Sequence, residues 1–148
     1  MSNREDIAKN IQDVLGDMTP PRPVLVTREP FDVNKLAITQ FPAVLITTGN
    51  ESREDNTMSG VRRGTIDVNI RGYVRSDGRQ GQIQSVDQKR NELIERIEET
   101  LNSDRTRGVS SKAVTTRVSS IEVFDRTPPL GEFNLIAQVL YSFDKDTL

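Results

Sequence analysis

The sequence predicts an α+β domain, an antiparallel or mixed β-sheet with two helices packed on one face. Three observations lead there. Apolar residues recur at helical spacing in two segments, the remaining apolar segments alternate with a period of two, and the order helix, strands, helix, two strands does not repeat as βαβ. Strands that are apolar on one side only need a cover on one side only. At 148 residues, with neither an internal repeat nor a linker long enough to divide it, residues 1–148 read as a single domain.

In the first segment Ile7, Ala8, Ile11, Val14 and Leu15 form one stripe of a short helix. Ser2 followed by Glu5 reads as a capping box, and Gly16 with Pro20, Pro21 and Pro23 ends the helix. Residues 24–28 form a weak strand candidate, and the β-branched run 43–48 a stronger one with Pro42 at its entry. Residues 49–60 carry charges of both signs and a single apolar side chain, Met58, so they read as a long mobile loop. Ile66, Val68, Ile70 and Val74 then alternate with Asp67, Asn69, Arg71 and Tyr73 in a strand with one wet face. A turn at Ser76, Asp77 and Gly78 with Gly81 closes it.

The main helix follows, with Ile83, Val86, Leu93, Ile94, Ile97 and Leu101 as its stripe and an ending at Asn102 and Ser103. Its opposite face carries Lys89, Glu92, Glu95, Arg96, Glu98 and Glu99, with Glu92–Arg96 and Arg96–Glu99 at supporting spacing, and reads as solvated. In the next strand Val114, Thr116 and Val118 occupy one phase and Ile121 and Val123 the other. A bulge near Ser119 and Ser120 keeps both sets on the core side. Phe133, Leu135, Ala137, Val139, Tyr141 and Phe143 make the last strand the clearest of all.

Composition limits the chemistry. The chain has no His and no Cys, which removes the commonest general base, the thiol nucleophile and most transition-metal ligands, so the expectation is a protein without catalysis, cofactor or metal. A net charge of -2 gives no global field for polyanions, and no apolar run reaches membrane-spanning length. Synthesis in a reducing cytosol fits the absence of cysteine. The remaining enzymatic alternative is a Mg²⁺-dependent nuclease using Asp67 with Asp87 and Glu92 of the main helix. The Gly60–Gly64 and Gly78–Gly81 segments match no phosphate-binding motif and read as turns. The seven aromatic residues are scattered and mostly in core phase, which argues against base stacking. Arg62, Arg63, Arg71, Arg75 and Arg79 form an arginine-rich stripe that could face DNA in a pore, or could meet acids such as Glu51, Glu54 and Asp55 of a neighbouring subunit.

The segments REDIAKNIQDVL, PAVLITTG with the charged stretch after it, GTIDVNIRGYV, QKRNELIERIEETL and FNLIAQVLYSF, in this order over nearly the whole chain, resemble the tail terminator, or tail completion, proteins of long-tailed bacteriophages. The resemblance is one of order, length and texture. It implies a virion structural subunit, made in the host cytoplasm, that forms a homo-oligomeric, hexameric ring. Such a ring caps the tail-tube protein, ends its polymerisation and joins the head connector or neck, with nonspecific DNA contact in the pore and no membrane. Related folds serve as tail-tube or neck subunits of the same virion. The contact candidates on this reading are Arg53, Glu54 and Asp55, with Arg62, Arg63, Arg71 and Arg75 as pore-lining or inter-subunit partners.

Overall fold

A computed structural model describes residues 3–56, 61–76, 85–104, 106–107, 114–127 and 129–144. The elements run α1 (Asn3–Gly16), β1 (Leu25–Thr27), β2 (Ala43–Asn56), β3 (Val61–Arg75), α2 (Val86–Ser103), β4 (Val114–Asp125) and β5 (Leu130–Asp144), with two short 3-10 turns between β1 and β2. They form one five-stranded sheet in the order β1-β2-β3-β5-β4. Among the described residues only the β1–β2 pair is parallel, so the sheet is mixed. The α+β class expected from the alternation of periods is the class observed. Ser2, residues 77–81 and Ile83, to which the capping box, a turn and the start of the second stripe were assigned, lie outside the described residues.

Both stripes fold as their spacing dictates. Ile7, Ala8, Ile11 and Leu15 of α1 and Leu93, Ile94, Ile97 and Leu101 of α2 are buried. All of these but Ala8 share one core cluster with Val44 and Ile46 of β2, Ile66, Val68 and Ile70 of β3, and Phe133, Leu135 and Val139 of β5, which places both helices on the same face. Each fully buried aliphatic side chain of this kind contributes about 1.5–3 kcal/mol of transfer free energy. The start of α2 is fixed by Ser85, whose hydroxyl accepts the Gln88 N–H at 3.1 Å, and Asp87 in the first turn complements the helix dipole. On its outer side the expected Arg96–Glu99 pair forms at 2.8 Å.

Two expectations need correction. Residues 49–56 are not a loop: β2 continues to Asn56 through a bulge between Thr48 and Glu51, and pairs with β3 as far as Val61. Residues 57–60 lie outside the described residues. Counting apolar residues misjudged this stretch because its ordering does not depend on a core of its own. β3 and β5 remain paired along the same length, and the register sets Arg53 against Gly64, Glu54 against Arg63 and Asp55 against Arg62, so the backbone ladder carries it. The second correction concerns β4. Its register shift falls between Val118 and Ser120 as expected, and it aligns Ile121 with Leu135 and Val123 with Phe133 on the helix side. Although Arg90 of α2 donates to the Phe124 carbonyl at 3.3 Å, Ile121 and Val123 on this outermost strand stay 39% and 51% exposed.

Two glycines of β3 make room for aromatics of β5. Gly72 pairs with Phe133 and Gly64 with Tyr141, and a Cβ at either position would fall inside the partner's ring. The rings therefore lie across the glycine backbone, which closes the core where a side chain on β3 could not fit.

Candidate interaction surface

The distal end of the β2–β3 hairpin is tied down by one carboxylate. Glu51, just past the bulge, has a side chain only 7% exposed. It accepts from Arg4 Nη1 of α1 at 3.0 Å, from Arg53 Nε at 2.6 Å and from the Tyr141 hydroxyl of β5. Arg4 also donates to the Gly49 carbonyl at 3.0 Å, so the first turn of α1 is bolted to the bulge. Burial alone would raise the Glu51 pKa, but the bonds from Arg53, Tyr141 and Arg4 together hold it below the usual carboxylate value. The same contact, with burial as the largest cause, pushes the Tyr141 phenol up to about 12.

A raised phenol pKa stabilises the fold while the group is protonated, and that contribution is lost as pH rises from the unfolded value near 10 through the folded value near 12. Tyr141→Phe should therefore lower stability at pH 7 by about 1 kcal/mol, the net worth of one hydrogen bond. Its unfolding free energy should also decline less than that of the wild type above pH 10, where Tyr73 still contributes, as urea titrations at pH 8 and 11 would show. Equal declines in both proteins would rule out this account of Tyr141.

The face of the sheet opposite the helices is polar along most of its length. Thr65, Asp67, Asn69 and Arg71 of β3 project there, beside Gln138 and Asn134 of β5 and Arg117 and Glu122 of β4 in the ladder. Arg117 donates to the Gln138 amide oxygen at 2.8 and 2.6 Å, and Gln138 reaches Asp67 at 3.5 Å. At the proximal end sits a denser cluster. Glu132, 6% exposed, lies between Arg71 Nε at 3.3 Å and Arg126. The Arg71 guanidinium lies 5.6 Å from the Phe124 ring centre and that of Arg126 lies 5.4 Å from the Tyr73 ring, which packs edge-on against Phe31 at 5.5 Å. The bond to Glu132 raises the Arg126 pKa, while burial is the largest cause of the raised Tyr73 pKa. Stacked and bonded in this way, the arginines are held in one geometry rather than left free to reorganise.

The contact candidates read from sequence fall into separate places. Arg53 belongs to the Glu51 knot. Glu54 and Arg63 are exposed opposite each other near the hairpin end, beside a shallow groove that includes Ser52, Thr65, Thr115 and Ser142. Asp55 and Arg62 oppose each other in the register, and their side chains lie outside the described residues. Arg71 is part of the proximal cluster, and Arg75 ends β3, where its carbonyl accepts from Lys89 Nζ at 3.1 Å. Of the acids expected to meet a neighbouring subunit, Glu54 and Asp55 stand opposite Arg63 and Arg62 in the register, and Glu51 bonds Arg4 and Arg53 of its own chain. Sequence reasoning missed Glu51, Glu132 and Arg126 as organising residues. For Glu132 the signal is an acid one strand away from Arg71, visible once the register is known, whereas Glu51 stands two residues from Arg53 on one strand and is marked by its burial.

The carboxylates of the enzymatic alternative do not converge: Asp67 lies in the sheet on the helix-free side, whereas Asp87 and Glu92 belong to α2. Among the described residues no group of three or more His, Cys, Asp or Glu is arranged to hold a metal ion, and no helix is long and apolar enough to cross a membrane. No protein-family model matches the chain, and no curated protein matches it.

Proposed function

We propose that this chain is a virion structural subunit that forms a hexameric ring on the tail tube, ends tube polymerisation and joins the tail to the head connector. The order of segments that resembles tail terminator proteins supports this reading, and one structural observation carries it. The sheet leaves a polar face without helices, and that face runs into an ordered, exposed hairpin end bearing Glu54 and Arg63. A head-to-tail ring needs two unlike patches on each subunit, and a charge-mixed strand pair offers such a patch while keeping the free chain soluble. On this reading the helix-free face, with Arg63, Arg71 and Arg75, lines the pore. The arginines there are interleaved with Glu54, Asp67 and Glu132, so passing DNA meets no strong net field to hold it.

The test is assembly in the presence of tail-tube protein. Added to growing tubes, the chain should halt elongation and appear as a closed ring at one tube end in electron micrographs. Incorporation along the tube, or long helical stacks of this chain alone, would instead make it a tube subunit. Mg²⁺-dependent cleavage of plasmid DNA, abolished by Asp67→Asn, would overturn both structural readings.

A further inference from the structure

β4 is an edge strand, paired on one side with β5 and, among the described residues, with no strand on the other. Its helix-side face leaves Ile121 and Val123 half exposed, and its other face carries exposed Arg117 and Glu122. An exposed edge of this kind is a template for another strand.

What fits it best is the strand itself. Val118 and Ile121 stand equally far from the midpoint between Ser119 and Ser120, as do Arg117 and Glu122. In a regular strand the members of each such pair would point to opposite faces, and antiparallel self-pairing about this midpoint would fail. The bulge changes that. With the register shifted between Val118 and Ser120, Val118 and Ile121 lie opposite Ala137 and Leu135 on the helix side, and Arg117 and Glu122 lie opposite Gln138 and Asn134 on the other. A feature that often blunts an edge here makes the edge self-complementary in face and in charge.

We propose that two copies of this chain pair antiparallel along β4, with Val118 against Ile121 of the partner subunit and Arg117 against Glu122 of the partner subunit. The two-fold operation repeats each contact, so two apolar pairs and two ion pairs form together. The hairpin end and the helix-free face remain open to other partners. This inference does not rest on the ring reading, since the free chain alone is concerned.

Native mass measurement and sedimentation of the full chain test it. The wild type should show a concentration-dependent dimer. Arg117→Glu and Glu122→Arg should each weaken the dimer about tenfold or more, because both attractive pairs become repulsive. Circular dichroism should show both variants folded, and Glu122→Arg leaves the Arg117–Gln138 bond intact. An equimolar mixture of the two variants should restore a heterodimer, because every reversed charge then meets its opposite. A monomeric wild type at tens of micromolar, variants that dimerise as well as wild type, a mixture that stays monomeric, or a larger oligomer indifferent to the reversals would each overturn the pairing.

Discussion

Gly72→Ala is expected to destabilise the domain by about 2–3 kcal/mol, at the upper end of what overpacking a core costs. The added methyl would fall within the Phe133 ring, and Phe133 is fully buried in the shared core cluster. The ring cannot retreat without displacing its neighbours, because a packed interior has no spare volume to absorb a methyl group. Equilibrium urea unfolding should show a lower midpoint with an unchanged slope. The cause can be isolated by Phe133→Leu, which costs stability alone but shortens the side chain that clashes. The double variant should then be more stable than the sum of the two single losses predicts, a coupling expected only of residues in contact. Additive losses would mean that the ring does not lie across Gly72.

Glu51→Gln is expected to cost about 2–3 kcal/mol, less than the worst cases of breaking a buried pair because Arg4 and Arg53 keep about a third of their side chains in water. The amide can still accept a bond, but it weakens three charge-assisted contacts at once and leaves two guanidinium groups facing a neutral partner. The sign of the pH dependence follows from the depressed Glu51 pKa. A carboxylate whose folded pKa lies below its unfolded value stabilises the fold above the unfolded value, and that stability is lost as pH falls through the folded one. The gap between wild type and Glu51→Gln should therefore be full at pH 7 and shrink below the ordinary carboxylate range. A gap that stays constant between pH 7 and pH 3 would contradict the assignment. The loss should also loosen the hairpin locally, seen as faster amide exchange in residues 49–56 than in the core strands.

The contrast between these two sites shows what the sequence makes legible. The class of fold, both helical stripes, the bulge in β4 and the long last strand follow from periodicity, because burial imposes a period on apolar residues wherever a core exists. Nothing of that kind marks residues 49–56, where the strand is held by its partners rather than by its own apolar content. The same limit applies to the surface. Arg71 and Arg53 are visible in the sequence as cations, but whether they are free or committed depends on Glu132, which only the register brings beside Arg71, and on Glu51, which lies two residues from Arg53 on the same strand and is fixed by burial against Arg4 and Tyr141. The exposure of Ile121 and Val123 was equally hidden: their phase is correct for the core, and it is their place on the outermost strand of the sheet that leaves them open. Gly64 and Gly72 could be noticed in the β3 sequence, yet the rings they accommodate lie on another strand.

A reconstruction of the assembled particle with the chain located in its density would decide whether the proposed ring closes at the end of a tail tube. The expected density is one closed hexameric layer between the last tube ring and the head connector, with the helix-free sheet face toward the lumen. Density for the chain repeated along the tube, or its absence from the particle, would contradict it.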